Sequence, residues 1–211
     1  MRIIAVTLLS CLLGLVPSRP RLQIDVVFQG LPMQSKTEEA ALAEVAGIWG
    51  AYDVNIRASS ENDEVRDGAV RLMVVLSDEP AKHLVAGALG SIQFVDGVPG
   101  PTIVMYPKAI DGLVSSVAVM GIRDERLTRK FHDFLVGRVF GRALAHEIGH
   151  YLLRSPNHSA KGLMRAVQLP SDLVGQDRKL FALSADQVTR LESVLTQIIH
   201  SDHPSRLTVG R

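Results

Sequence analysis

The sequence predicts an α+β fold, with strands mainly in the first half and helices in the second. Three observations carry that expectation. Period-two apolar alternation, the mark of a strand with one buried face, is concentrated in the first half of the chain. Apolar residues spaced at three and four positions dominate the second half. No internal repeat or low-complexity linker interrupts the 211 residues, a length that supplies one core and little spare for a second. One domain over residues 19–211 is therefore expected.

In the first half, Leu22, Ile24, Val26 and Phe28 alternate with Gln23, Asp25 and Val27 and define a strand at about 22–29. Ser35-Lys36-Thr37-Glu38 has the form of a capping box. Ala41, Val45, Ile48, Trp49 and Tyr52 recur behind it, giving a helix at about 36–51 with Trp49 as a core aromatic. Val54–Ala58 and Val70–Leu76 are further strands, joined by a charged, solvated loop from Ser59 to Asp67. Ile92–Val95 and Thr102–Tyr106 are short strands. The segment between them, Asp96-Gly97-Val98-Pro99-Gly100-Pro101, suggests a hairpin-like connection.

The second half is helical from about Arg123 to Arg154, with a break near Gly137 or Gly141 because glycine weakens a helix interior. Ser184-Ala185-Asp186-Gln187 is a second capping box. It opens a closing helix at about 185–200 whose apolar stripe is Val188, Leu191, Leu195 and Ile198.

Arg2 is followed by an uncharged, mostly apolar run from Ile3 to Val16, the length of a signal-peptide core and short for a membrane span. Residues 1–18 are accordingly expected to direct export, secreted or periplasmic, with cleavage after Ser18 and no stable span afterwards. An uncleaved anchor is the alternative. Lipidation at Cys11 is disfavoured, since Leu12, Leu13, Leu15 and Val16 continue the apolar run beyond it. As Cys11 is the only cysteine, the processed chain has no disulfide, no cysteine nucleophile and no cysteine metal ligand. The 23 Lys+Arg nearly balance 22 Asp+Glu with no basic block, which argues against nucleic-acid binding.

His146-Glu147-Ile148-Gly149-His150 carries the chemistry. On a helix, residues four apart share a face, so both imidazoles reach one ion. Glu147, about 100° round the helix, stays free to lean towards a water as general base. Zinc suits imidazole nitrogens and works catalytically with three protein ligands and an open fourth position. His158 is the candidate third ligand: Pro156 disfavours helical geometry at Ser155, letting the chain turn back. Asp172, Asp177 and Glu192 are its rivals. His83, His132, His200 and His203 are set aside as surface, helix-face or terminal residues.

With Gly162-Leu163-Met164 six residues after His158, the pattern resembles that of the metzincin metalloproteases, H-E-x-x-H-x-x-G-x-x-H followed by a methionine turn. Leu153 stands at the glycine position and Pro156 at the third histidine, with His158 two residues later, so the connection is longer here. The stretch from His146 to Ser159, ending in Gly162-Leu163-Met164-Arg165, is similar to a group of small exported bacterial proteins. The resemblance implies a zincin-like catalytic domain: a twisted mixed sheet packed on helices, with the sheet above, the metal helix below the cleft, and a sheet edge that pairs with an extended peptide or protein substrate. Ser91–Val95 is the candidate edge. It implies Met164 as a structural floor of the site. Ala166 stands where some relatives place a tyrosine, so no tyrosine takes that role here.

The function expected is zinc-dependent peptide hydrolysis, with a metal-bound water activated by Glu147. Two other readings are a zincin-fold binding or structural protein that keeps the metal without catalysis, and hydrolysis of a non-peptide amide.

Overall fold

The computed structural model describes residues 22–66, 68–78, 87–117 and 127–201, with side chains to residue 198. The expected signal segment 1–18 with Cys11, the helix start at Arg123, and His83, His203 and the His200 side chain lie outside these residues.

Five strands form one sheet: β1 (Leu22–Gly30), β2 (Val54–Ala58), β3 (Ala69–Leu76), β4 (Gly90–Val95) and β5 (Val98–Met105), in the order β2-β1-β3-β5-β4. β1 runs parallel to β2 and β3, β3 runs parallel to β5, and β4 alone is antiparallel, at an edge. A mixed sheet is what the resemblance implies. The helix expected at about 36–51 is present as α1 (Ser35–Trp49), which carries the chain from β1 to its parallel neighbour β2. Parallel strands require such a crossover.

β4 and β5 meet in a tighter turn than the Gly/Pro-rich segment suggests. Asp96 (φ 51°) and Gly97 (φ 78°) form a two-residue hairpin, the left-handed pair that matches strand twist. Pro99 and Pro101 lie inside β5. Pairing between β5 and β3 begins only at Thr102, so neither proline displaces a donor needed there.

The helices that follow are α2 (Pro107–Ser116), α3 (Arg129–Leu153), α4 (Pro170–Val174) and α5 (Ala185–Ser201). α2 was not foreseen, although Pro107 is suited to the first helical turn and Ile110 and Val114, four apart, are buried. At α1 the expected capping box is absent: the helix begins one residue earlier, Ser35 lies inside it, and Gln34 occupies the cap without a side-chain bond. At α5 the box forms, with Gln187 Oε1 accepting from Ser184 N–H at 2.9 Å and Ser184 Oγ accepting from Gln187 N–H at 3.4 Å.

The expected break at Gly137 or Gly141 does not occur; α3 runs unbroken for 25 residues. Its glycines serve packing. A methyl at Gly137 would stand 2.6 Å from Ala40 Cβ, and one at Gly141 2.5 Å from the Ala41 carbonyl oxygen. Ala145 follows four residues on, where its carbonyl accepts the Trp49 indole N–H at 3.2 Å. Gly149 then faces Met164 and Trp49. A stripe of small residues thus lets α1 lie directly on α3. Gly141→Ala is expected to destabilise the protein by about 1–3 kcal/mol through overpacking, although alanine is the better helix former. Urea unfolding measures this, and a more stable variant would show that α1 can retreat.

Candidate metal centre

α3 supplies His146, Glu147 and His150 from its last two turns, and all three line one cavity. The helix stops at Leu153. Arg154 adopts a left-handed conformation (φ 46°), and Ser155 N–H returns to the His150 carbonyl at 3.2 Å. Arg190 of α5 closes this end, donating from Nε to Leu153 O at 2.6 Å and from Nη2 to Arg154 O at 3.1 Å. A guanidinium there satisfies carbonyls that lack helical partners and sits at the negative end of the helix dipole. The chain then reverses past Pro156 and brings His158 back.

The three imidazoles converge. One nitrogen from each of His146, His150 and His158 lies within 4.8 Å of the others, and this is the histidine-bearing group of metal-binding geometry among the described residues. The ring centres of His158 stand 5.3 Å from His146 and 4.9 Å from His150. The rival third ligands are placed differently: Asp177 caps a 3₁₀ turn through Lys179 N–H at 2.9 Å, Asp172 stands 4.0 Å from Arg165, and Glu192 lies on α5. His132 neighbours Asp111 at 3.6 Å, apart from the triad.

Backbone carbonyls orient two of the rings. His146 Nδ1 stands 2.7 Å from Leu163 O, and His150 Nδ1 stands 2.7 Å from Ser155 O. A carbonyl only accepts, so each Nδ1 carries the proton and each Nε2 presents a lone pair. Those two Nε2 atoms face one another at 3.1 Å. Two nitrogens placed tetrahedrally around zinc at about 2.0–2.1 Å would be about 3.3 Å apart. The donor set therefore fits the ion. Burial, then the neighbouring His150 and His158, push His146 down to about 4 against the pull of Leu163 O, and burial first of all lowers His150. Neutral imidazole is the form that ligates.

The expected methionine turn is present as a turn. Arg165 N–H bonds to Gly162 O at 3.2 Å, with Gly162 at φ 79°, and Met164 is fully buried. Its contact with Gly149 sets it against the helix beside His150. The same turn provides Leu163 O, so its contribution to the centre includes orienting His146 as well as filling space.

Glu147 is 8 % exposed and has no hydrogen-bond partner among the described residues. Burial raises its carboxyl to about 8. A cation held by the adjacent histidines favours the carboxylate and opposes that shift. Overhead runs β4: a methyl at Gly90 would come within 3.1 Å of Glu147 Cγ and 2.8 Å of Met105 Sδ. A side chain at this position would thus crowd Met105 and the Glu147 stem beneath this edge. Phe94 of β4 meets the His150 ring edge-on at 6.3 Å. The expected edge, Ser91–Val95, is thus the strand above the centre. The cavity of about 380 Å³ between them has Leu89, Ile92, Leu113, Ala143 and Leu173 among its lining residues.

No protein-family model matches this chain, and no curated protein does so. Among solved structures, it is similar to archaemetzincin from Methanopyrus kandleri at 15 % sequence identity, over 86 % of this chain and 99 % of that one, with a TM-score of 0.48.

Three features of the centre escaped sequence reasoning. Leu163 O and Ser155 O act through the backbone, so their residue types carry no signal. Arg190 is 37 positions from the carbonyl it caps. Arg142, one turn before His146, also lines the cavity, and its four-residue spacing from His146 was the signal that could have placed it on the same face. No helix among the described residues is long and apolar enough to cross a membrane.

Proposed function

We propose that this chain is a zincin-like, zinc-dependent peptidase. The observation that carries the reading is the pair of histidine Nε2 atoms facing at 3.1 Å with both Nδ1 protons committed to carbonyls. Such lone pairs repel unless a cation lies between them. His146, His150 and His158 hold the ion, each through one ring nitrogen. Zinc supplies polarisation of a carbonyl oxygen and a water whose pKa is lowered to about 7.

The chain's own residues do the rest. An extended peptide adds to the free edge of β4, the recognition mode in which backbone bonds give affinity and side-chain pockets give selectivity. Glu147, held under that strand, takes the proton from the attacking water and returns it to the leaving amine. Met164 fills the floor, and Leu163 and Ser155 fix the imidazole tautomers. Residues 19–211 form the catalytic domain, and export follows from the apolar Ile3–Val16 segment.

Zinc content and peptide-library cleavage of the purified chain test this, beside His158→Ala. The expected outcome is one zinc per wild-type chain, cleavage, and zinc affinity weakened at least about 10-fold in the variant, since loss of a ligand exceeds loss of an outer partner. Zinc without cleavage of any peptide would favour a binding protein. Absence of zinc would sink the metal centre itself.

A further inference from the structure

Arg142 is a buried cation on the cleft wall that the proposed chemistry does not use. It follows Gly141 on α3, is 1 % exposed and lies one turn before His146. Its Nε donates to Glu44 at 2.8 Å, and Nη1 donates to the carbonyls of Asp172 and, at 3.1 Å, Leu173. One face of the guanidinium lies over the Phe181 ring at 4.4 Å. Arginine has five N–H groups, and these contacts use those on Nε and Nη1. Among the described residues nothing accepts from Nη2, while Arg142 borders the cavity.

The charge around Arg142 is also under-compensated. Glu44, its carboxylate partner, is shared with Arg178 at 2.8 Å. Arg138 adds a further guanidinium and donates only to the carbonyls of Val174 and Gly175. Asp177 lies near enough to favour the Arg142 charge without bonding to it. At the cavity rim stands Arg165, whose nearest carboxylate, Asp172, is at 4.0 Å, the outer limit of an ion pair. Among the described residues, the only carboxyl lining the cavity is Glu147. Leu89, Leu113, Ala143 and Leu173 add apolar wall beside the polar Ser91 and Gln168, and low-dielectric surroundings strengthen a charge-assisted hydrogen bond.

We propose that this end of the cleft selects an acidic side chain next to the scissile bond, with Arg142 at its base and Arg165 at its mouth. The inference rests on the peptidase reading for the identity of the ligand as a peptide. A carboxylate is the group that accepts from a guanidinium edge most strongly, and the apolar walls hold the methylene stem of a glutamate.

Two measurements on the zinc-loaded full chain test it. In the first, wild type is offered paired peptides that differ only as Glu or Gln at each position flanking the bond. The second records binding of the same peptides to Glu147→Ala, so that recognition is read without turnover. The Glu peptide of one pair is expected to be preferred about 10-fold or more in both, the scale of one hydrogen bond to a charged group. Arg165→Gln, at a partly exposed position, is expected to reduce the preference while leaving the melting temperature unchanged. Arg142→Lys, which keeps the charge but not the fork, is expected to reduce it further, and the rim variant decides if this one fails to fold.

Cleavage with equal use of Glu and Gln peptides overturns the acidic pocket and leaves the peptidase reading standing. Preferential binding of Glu peptides without cleavage upholds the pocket and overturns the peptidase. Preference that survives Arg165→Gln and a folded Arg142→Lys removes these two residues as its source and overturns the proposal.

Discussion

Glu147→Gln is expected to retain zinc and the wild-type melting temperature while lowering peptide hydrolysis by about 10²–10⁴-fold, the usual contribution of a positioned general base. The carboxyl makes no hydrogen bond among the described residues that the amide would break, and it is not in the ligand triad. Glutamine keeps its shape under Gly90, where an added methyl would come within 3.1 Å of Cγ. Zinc stoichiometry and kcat, measured on the same preparation, check both halves. Loss of zinc along with activity would mean that Glu147 is a ligand, and retained activity would remove it as the base.

Glu44→Ala is expected to be the most destabilising single change, at about 3–5 kcal/mol, because removing one partner leaves a buried charge uncompensated. Arg142, at 1 % side-chain exposure, carries that cost; Arg178, at 47 %, regains water. Arg178→Ala should therefore cost no more than about 1 kcal/mol. The pair also sets a pH dependence. Burial pushes the Glu44 carboxyl up, but hydrogen bonds from Arg178 and Arg142 overcome it and hold it below its ordinary value. A depressed folded-state pKa gives stability that is present above the unfolded value, about 4.3, and is lost as pH falls through the folded one. Wild type should thus lose stability in acid more steeply than Glu44→Gln. Urea unfolding at pH 7 and below pH 4 measures both, and parallel curves would remove Glu44 as a source of the acid sensitivity.

β2 and β3 were legible because alternate residues face the core: Val54 and Ile56 of β2 and Leu72, Val74 and Leu76 of β3 are at most 5 % exposed, whereas β1 also buries Asp25 and Val27 on its other face. The three histidines were legible because a four-residue spacing on a helix is a geometric statement in itself. What the sequence concealed were effects acting through contacts distant along the chain. Glycine in α3 reads as a helix weakness until α1 is seen against Gly137 and Gly141. Ser35 reads as a cap until Gln34 is seen in that place. Arg142 and Glu44 are 98 positions apart, so their pairing leaves no local trace.

The small-residue stripe has a consequence for how the centre tolerates change. Three cleft-lining positions on α3 each immediately follow a small one: Gly141 precedes Arg142, Ala145 precedes His146, and Gly149 precedes His150. Neighbours along a helix stand about 100° apart, so the two rows are separate faces of one rod, locked in angular phase. α1 seats the first row and thereby sets the bearing of the second. Bulk added on the seated side would turn the rod, and His146 and His150 would swing together relative to His158. The tolerance of the metal centre to mutation is therefore narrowest at residues that never touch the cleft, and sequence drift there acts as a rotation, not as a local vacancy.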